Sequence, residues 1–368
     1  MTMAADVMTP RERWWAAIRF QPVDRLPFWP KLDAAYPRAQ QAPFNKMTIR
    51  ELHAWIGSDE HLGVTPCVRE VRSRTSVDVV TEGDRQTMIY RTPFGDTAMV
   101  KRFDPVSQAW HPIEFPVRDL TTLKSMTAFF EDARAELDED RWAKAMEQVA
   151  QAGDQAMTFA SIGESPLMYF VEWLAGIENS HLLLADYPEQ TEALFEAVHR
   201  LLLQKAEILA QHSPSDVLYM IENTSTTLIS PRQYRRYCYP HISDYGKITR
   251  EHGRVLILHM CGKLKLLLPD LATLPVEGFE AFTAPPLGST TLLDGRTSCP
   301  DKCLVGGTHA MLWTRPAEEI IEQIAQHLDP LPHHRGLVVT SAGVMPPLCP
   351  PETIKAVCEW VKGYAVRV

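Results

Sequence analysis

The 368-residue sequence has no apolar run near the roughly 18 residues that a membrane-spanning helix requires. Its opening stretch, MTMAADVMTPRERWW, lacks the apolar core of a secretory leader. Cysteine is sparse and odd in number, seven in all, which excludes a disulfide framework. A reducing cytoplasm is therefore the expected setting, and each thiol is to be judged as buried filler or as a ligand. Positive charge is in deficit: 37 Lys and Arg against 46 Asp and Glu leave a formal net charge of −9. Nucleic acid, whose phosphates demand a basic face, is thereby disfavoured as a partner. The chain contains no low-complexity segment and no clean internal repeat. It also lacks G-x-S-x-G, a Walker loop and H-E-x-x-H, which sets aside three common hydrolytic and nucleotide chemistries.

What is present is an ordinary globular composition, 45% hydrophobic and 23% charged, with enough length for a large core. Proline is frequent, 28 of 368 residues, and is spread between elements as expected for many strand–loop–helix joints. The N-terminal third is irregular. Thr9 to Ile18 reads as a short helix with Thr9 as its cap and Pro10 in the first turn. Between Val77 and Phe103, β-rich patches around Gly83 and Gly95 predict an antiparallel hairpin.

From residue 156 the rhythm is regular. The apolar runs MTFASIG, DVLYMIE, VLILHMCG, GFEAFT, CLVGGTH and GLVVTSAG each follow a helical stretch, with long amphipathic helices predicted over Glu189–Gln211 and Pro231–His252. Strands that are apolar throughout, instead of alternating, indicate burial on both faces and hence a parallel sheet. RLPFW near residue 26 and HLGVTPCV near residue 61 bring the candidates to eight. The expected fold is an α/β (β/α)8 TIM barrel, a single domain over residues 1–368 with an N-terminal β-hairpin and helical elaboration. A doubly wound sheet is the alternative, but no Gly-rich phosphate fingerprint follows an early strand.

In such a barrel, reactive side chains lie at the carboxyl ends of the strands. Those positions hold Glu222, Asn223 and Thr224; His259, Met260 and Cys261; Thr308 and His309; and Ser341, Ala342 and Gly343. His259-Met260-Cys261 stands out, because strand alternation points His259 and Cys261 the same way. An imidazole and a soft thiolate suit zinc better than magnesium or calcium. Thirteen histidines and seven cysteines in 368 residues produce about a quarter of an H-x-C triplet by chance, so the strand-end placement carries the signal. A core histidine beside a small buried thiol would read the same way. Glu222 closes another strand, where a carboxylate is costly to bury unless paired or bound to metal. Cys299 and Cys303 are spaced loosely for a zinc pair and are assigned to structure, as are Cys238 and Cys358 on helices.

Glu222-Asn-Thr-Ser-Thr-Thr-Leu-Ile-Ser-Pro231 and Val255-Leu-Ile-Leu-His-Met-Cys-Gly262 resemble the uroporphyrinogen decarboxylase superfamily, as do Gly163-Glu-Ser-Pro-Leu-Met168 and Pro350-Pro-Glu-Thr-Ile-Lys-Ala356. The likeness runs from Thr9 to about Val361 and is strongest over residues 160–310. It implies a barrel with its site in a deep cleft at the strand ends. True decarboxylases carry an arginine-rich loop after the first strand; here that loop reads Pro27-Phe-Trp-Pro-Lys-Leu-Asp-Ala-Ala-Tyr36. Without that cationic clamp an octacarboxylate porphyrinogen is a poor substrate.

The other branch it resembles is the cobalamin-dependent methyltransferases, including O-demethylases of methoxylated compounds. Their zinc motif is H-x-C followed by a distant cysteine, and His259 and Cys261 match its first two positions. The resemblance makes Cys349 the candidate for the third, since Ser341-Ala342-Gly343 stands where the family cysteine normally lies; Glu222 is the alternative donor. Asn223 and His309 are expected to orient substrate, with Glu164 supporting them and Glu222 as ligand or proton holder. Asp59-Glu60-His61-Leu62-Gly63 is the nearest approach to a corrinoid-binding D-x-H-x-x-G, with its glycine one position early, so a corrinoid would arrive on a partner protein. The expected activity is zinc-dependent methyl transfer between a small methylated substrate, a methoxylated aromatic being favoured, and a corrinoid protein or thiol. A decarboxylase-like lyase and a non-catalytic barrel that docks a corrinoid protein are the alternatives. The long amphipathic helices leave room for a homodimer face.

Overall fold

The computed structural model describes residues 6–105 and 107–367; residues 1–5 of the stretch read for a leader lie outside them. Eight parallel strands form one sheet: β1 (Phe28–Trp29), β2 (Glu60–Gly63), β3 (Ala156–Gly163), β4 (Val217–Ile221), β5 (Leu256–His259), β6 (Gly278–Phe282), β7 (Cys303–Gly306) and β8 (Leu337–Thr340). From β2 to β8 each strand pairs with the next in sequence, and β8 returns to β1 in register Phe28↔Val339. The remaining seam, between β1 and β2, is bridged by the Asp59 N–H donating to the Phe28 carbonyl at 2.8 Å. This is the (β/α)8 barrel, and all eight sequence candidates are its strands.

Alternation sorts the side chains into two cores. Leu218, Met220, Leu256, Leu258 and Phe279 pack outward against the helices. Met157, Val217, Tyr219, Ile257, Val305 and Val338 point inward. One inner tier is aromatic across five adjacent strands. Ring centroids lie 5.0 Å apart for Trp29 and His61, 4.4 Å for His61 and Phe159, 4.6 Å for Phe159 and Tyr219, and 6.4 Å for Tyr219 and His259. His61 is sealed in this tier, and burial drives its pKa down to about 3, so it is a neutral packing residue.

At the amino end of the barrel, the fully buried Asp59 carboxylate accepts from Arg13 Nη1 at 2.5 Å, Arg25 Nη1 at 2.7 Å and the Phe28 N–H at 2.9 Å. The helix Pro10–Ile18 carries Arg13 to it and has the expected Thr9 cap in a reciprocal box with Glu12.

Two elements differ from expectation. The predicted hairpin is a four-stranded antiparallel meander over Ser76–Glu82, Arg85–Arg91, Thr97–Asp104 and Ala109–Glu114. Its last strand contains Pro112, which weakens its pattern in sequence but is tolerated at a sheet edge. The helix predicted over Pro231–His252 is two, Pro231–Tyr237 and Tyr239–Glu251. Pro240 cannot donate to the preceding turn and its ring opposes the carbonyl four residues back, so the chain restarts at Cys238.

Candidate active site

The site forms where β4, β5 and β6 end, because Tyr219, His259 and Glu280 occupy inward positions on neighbouring strands. Glu280 is fully buried, and one of its oxygens, Oε2, gathers three donors: the Tyr219 hydroxyl, the His259 imidazole through Nδ1, and the Lys31 ammonium at 3.3 Å. Lys31 Nζ also lies 3.2 Å from His259 Nδ1. Burial alone would raise the Glu280 pKa; the His259 and Lys31 charges overcome it and hold the carboxylate well below its usual range. Burial likewise opposes charge on His259, but Glu280 and a hydrogen bond with Cys261 lift the imidazole to about 9. Lys31 reaches in from the loop after β1, which Ser341 anchors by accepting the Lys31 N–H at 3.1 Å. Glu280 Oε1 is buried with no hydrogen-bond partner among the described residues.

Beside this group the Cys261 thiol donates to Asn223 Oδ1 at 3.2 Å, and Asn223 Nδ2 donates to Glu172 Oε2 at 2.9 Å. Both supports are locally irregular. Asn223 has φ +39°, in the left-handed region that asparagine tolerates better than most residues. Glu172 sits on a π-helical turn, Phe170–Leu174, of the kind that recurs at functional sites. Burial raises the Glu172 pKa, and burial followed by the Glu172 charge raises that of Glu164 to about 8. Glu164 accepts from Trp173 Nε1 at 2.9 and 3.0 Å.

The expected site residues separate into those that meet and those that do not. His259 and Cys261 are in contact, Asn223 touches Cys261, and Glu164 adjoins Glu172 on the same side. Glu222 alternates outward from β4 into the helix layer. It is fully buried, accepts from the Ser165 N–H at 3.0 Å and from the Ser165 hydroxyl, and burial pushes its pKa up to about 8. Cys349 is buried elsewhere, with its carbonyl accepting from the Tyr36 hydroxyl at 2.6 Å. His309 lines a separate cavity of about 660 Å³ with Pro285, Pro286 and Arg315, and its Nδ1 has no partner among the described residues.

The four expected metal donors therefore do not converge, and no group of three His, Cys, Asp or Glu among the described residues is arranged to hold a metal ion. His259 and Cys261 fit one half of a zinc shell. An imidazole whose Nδ1 is held by a carboxylate is oriented to bind through Nε2, as metal-ligating histidines usually are. Lys31, Tyr219, Glu172 and Glu280 were not singled out from sequence. Glu280 did carry a signal, as a lone carboxylate inside the apolar run GFEAFT, where only a paired charge is tolerable.

Residues 113–364 match the family described as uroporphyrinogen decarboxylase (URO-D). The chain belongs to the URO-D family. A methyltransferase from Methanosarcina mazei superposes with a TM-score of 0.59 at 14% sequence identity, over 97% of this chain and 98% of that one, and shares the fold. A Listeria monocytogenes protein assigned as a vitamin-B12-independent methionine synthase aligns with a TM-score of 0.37 at 13% identity, over 60% of this chain and 68% of that one, a slight likeness. No curated protein matches the sequence. Within this URO-D barrel the loop after β1 places Lys31 in the site, with no arginine among Pro27–Tyr36.

Proposed function

We propose that the protein is a methyltransferase that moves a methyl group between a small methylated substrate, a methoxylated aromatic being favoured, and a corrinoid protein or thiol acceptor. The observation that carries this reading is the Glu280-held imidazole of His259 in contact with the Cys261 thiol at the strand ends of a URO-D barrel. His259 and Cys261 would hold a zinc ion, which when bound supplies Lewis acidity toward a leaving oxygen or lowers the pKa of an acceptor thiol.

This chain's own residues have separable tasks. Glu280 and Lys31 fix the imidazole ring, and Asn223, backed by Glu172, fixes the Cys261 side chain. Glu164, with a pKa of about 8, keeps its proton at neutral pH and can deliver it to the departing oxygen as the carbon–oxygen bond breaks. The methyl carbon passes to the acceptor nucleophile, and the substrate leaves as its alcohol or phenol. A porphyrinogen decarboxylase reading is weakened by the loop after β1, where Lys31 is already paired with Glu280 and no arginine is available to hold further carboxylates.

Metal content by plasma mass spectrometry, on wild type beside Cys261→Ser and Cys349→Ser, tests the reading. About one zinc per chain is expected in wild type and in Cys349→Ser, with most of it lost from Cys261→Ser. A folded wild type that takes up no zinc even when supplied would overturn the zinc role. Methyl transfer that persists in Cys261→Ser, or carbon dioxide release in its place, would overturn the assigned chemistry.

A further inference from the structure

The meander is inserted after β2, on the same side of the barrel as the site. In its third strand, Thr97, Met99 and Lys101 share one face by alternation, and Thr97 and Met99 are buried. Val100 on the opposite face is buried as well, and it is the meeting of the Lys101 ammonium with Trp173 that shows Lys101 pointing inward. A break in pairing register falls at this position: Val100 pairs with Glu114 and Lys101 with Pro112, leaving Ile113 as an extra residue on the neighbouring strand. Such bulges re-aim side chains and are frequent beside active sites.

The Lys101 ammonium comes to rest 4.7 Å from the centroid of Trp173, the indole whose Nε1 holds Glu164. Lys101 is half-buried and has no ion-pair partner among the described residues; burial pushes its pKa down, and no carboxylate charge offsets that. Lys31, by contrast, is paired with Glu280. The structure thus presents a half-buried cation on the face of the indole whose N–H holds Glu164.

We propose that Lys101 receives an anionic group of the substrate, a carboxylate borne by the methylated compound, at the rim of the barrel mouth. The aromatic methoxy scaffold of the probe rests on the methyltransferase reading, whereas the anion site rests on Lys101 and Trp173 alone.

The test is a calorimetric titration of the full-length protein with 4-methoxybenzoate and with uncharged methoxybenzene, on wild type, Lys101→Met and Lys101→Arg. Methionine keeps the apolar stem over Trp173 and removes the charge. Wild type should prefer the benzoate; Lys101→Met should weaken benzoate binding about tenfold and abolish the preference, while Lys101→Arg retains it. Unchanged melting temperatures guard against misfolding. Equal weakening of both ligands, an unaltered preference in Lys101→Met, or no benzoate binding by wild type at millimolar concentration would overturn the proposal. Because binding is read without turnover, a failed methyl-transfer assay beside an intact benzoate preference would count against the proposed reaction and not against the anion site.

Discussion

At the scale of single residues, the site is organised by Glu280, not by the H-x-C pair that advertises it. A Glu280→Gln substitution leaves Lys31 and His259 without their shared carboxylate. On the proposed zinc role of His259 it should cost about 10- to 100-fold in zinc affinity, the usual effect of removing a metal ligand's outer partner, measured by competition with a chromogenic chelator. The His259–Cys261 pairing was legible because strand period alone puts them on one side. Glu222 was legible as a strand-end carboxylate, but which face it takes depends on the strand's parity, and it falls on the helix side. Its pKa of about 8, like that of Glu164, lies above the ordinary 4.5. At these two carboxyls the folded chain holds more protons than the unfolded chain between those values, so their contribution to stability is greatest on the acid side and is lost as pH rises through about 8. Glutamine imitates the protonated acid. In Glu222→Gln the urea midpoint should match wild type near pH 5 and exceed it near pH 9; a deficit of the same size at both pH values would contradict this.

At the scale of elements, local signals served wherever one strand or helix end decides its own structure. Among the described residues, five helices carry reciprocal capping boxes, including Thr9–Glu12 and Ser230–Gln233. Ser230→Ala should cost about 1 kcal/mol by thermal denaturation, because the Gln233 N–H loses the hydroxyl that accepts it. Close approach between strands is a different constraint. A Cβ on Gly306 would sit 2.4 Å from the Phe282 carbonyl oxygen, against backbone that cannot move without parting β6 from β7. Gly306→Ala should therefore lower the melting temperature by much more than an exposed Gly→Ala change, and a neutral result would contradict the observed packing. The fourth meander strand and the break at Cys238 escaped the pattern because each turns on one proline. Pro112 is acceptable only at an edge, and Pro240 ends a periodicity that otherwise continues across it.

At the scale of the whole molecule, closure of the barrel depends on a seam with little backbone pairing of its own. Asp59 joins the N-terminal helix, β1 and β2 through two buried guanidinium groups. Asp59→Asn removes the carboxylate that the two cations share, while Arg13 keeps Asp24 and Arg25 keeps Asp6, and should destabilise by about 1–3 kcal/mol in urea titrations. The same residues gave the near-miss to a corrinoid motif, and the fold uses Asp59 and His61 for closure and packing instead.

The sequence by itself determined the barrel, since eight apolar runs separated by amphipathic helices allow few other parallel arrangements, and it determined that His259 and Cys261 face one way. Only the tertiary structure decided what joins them. Lys31, Tyr219, Glu172 and Glu280 come from four segments spread over some 250 positions, and their meeting depends on register between strands and on loop paths. Those are set by packing of the complete barrel, which no local pattern encodes.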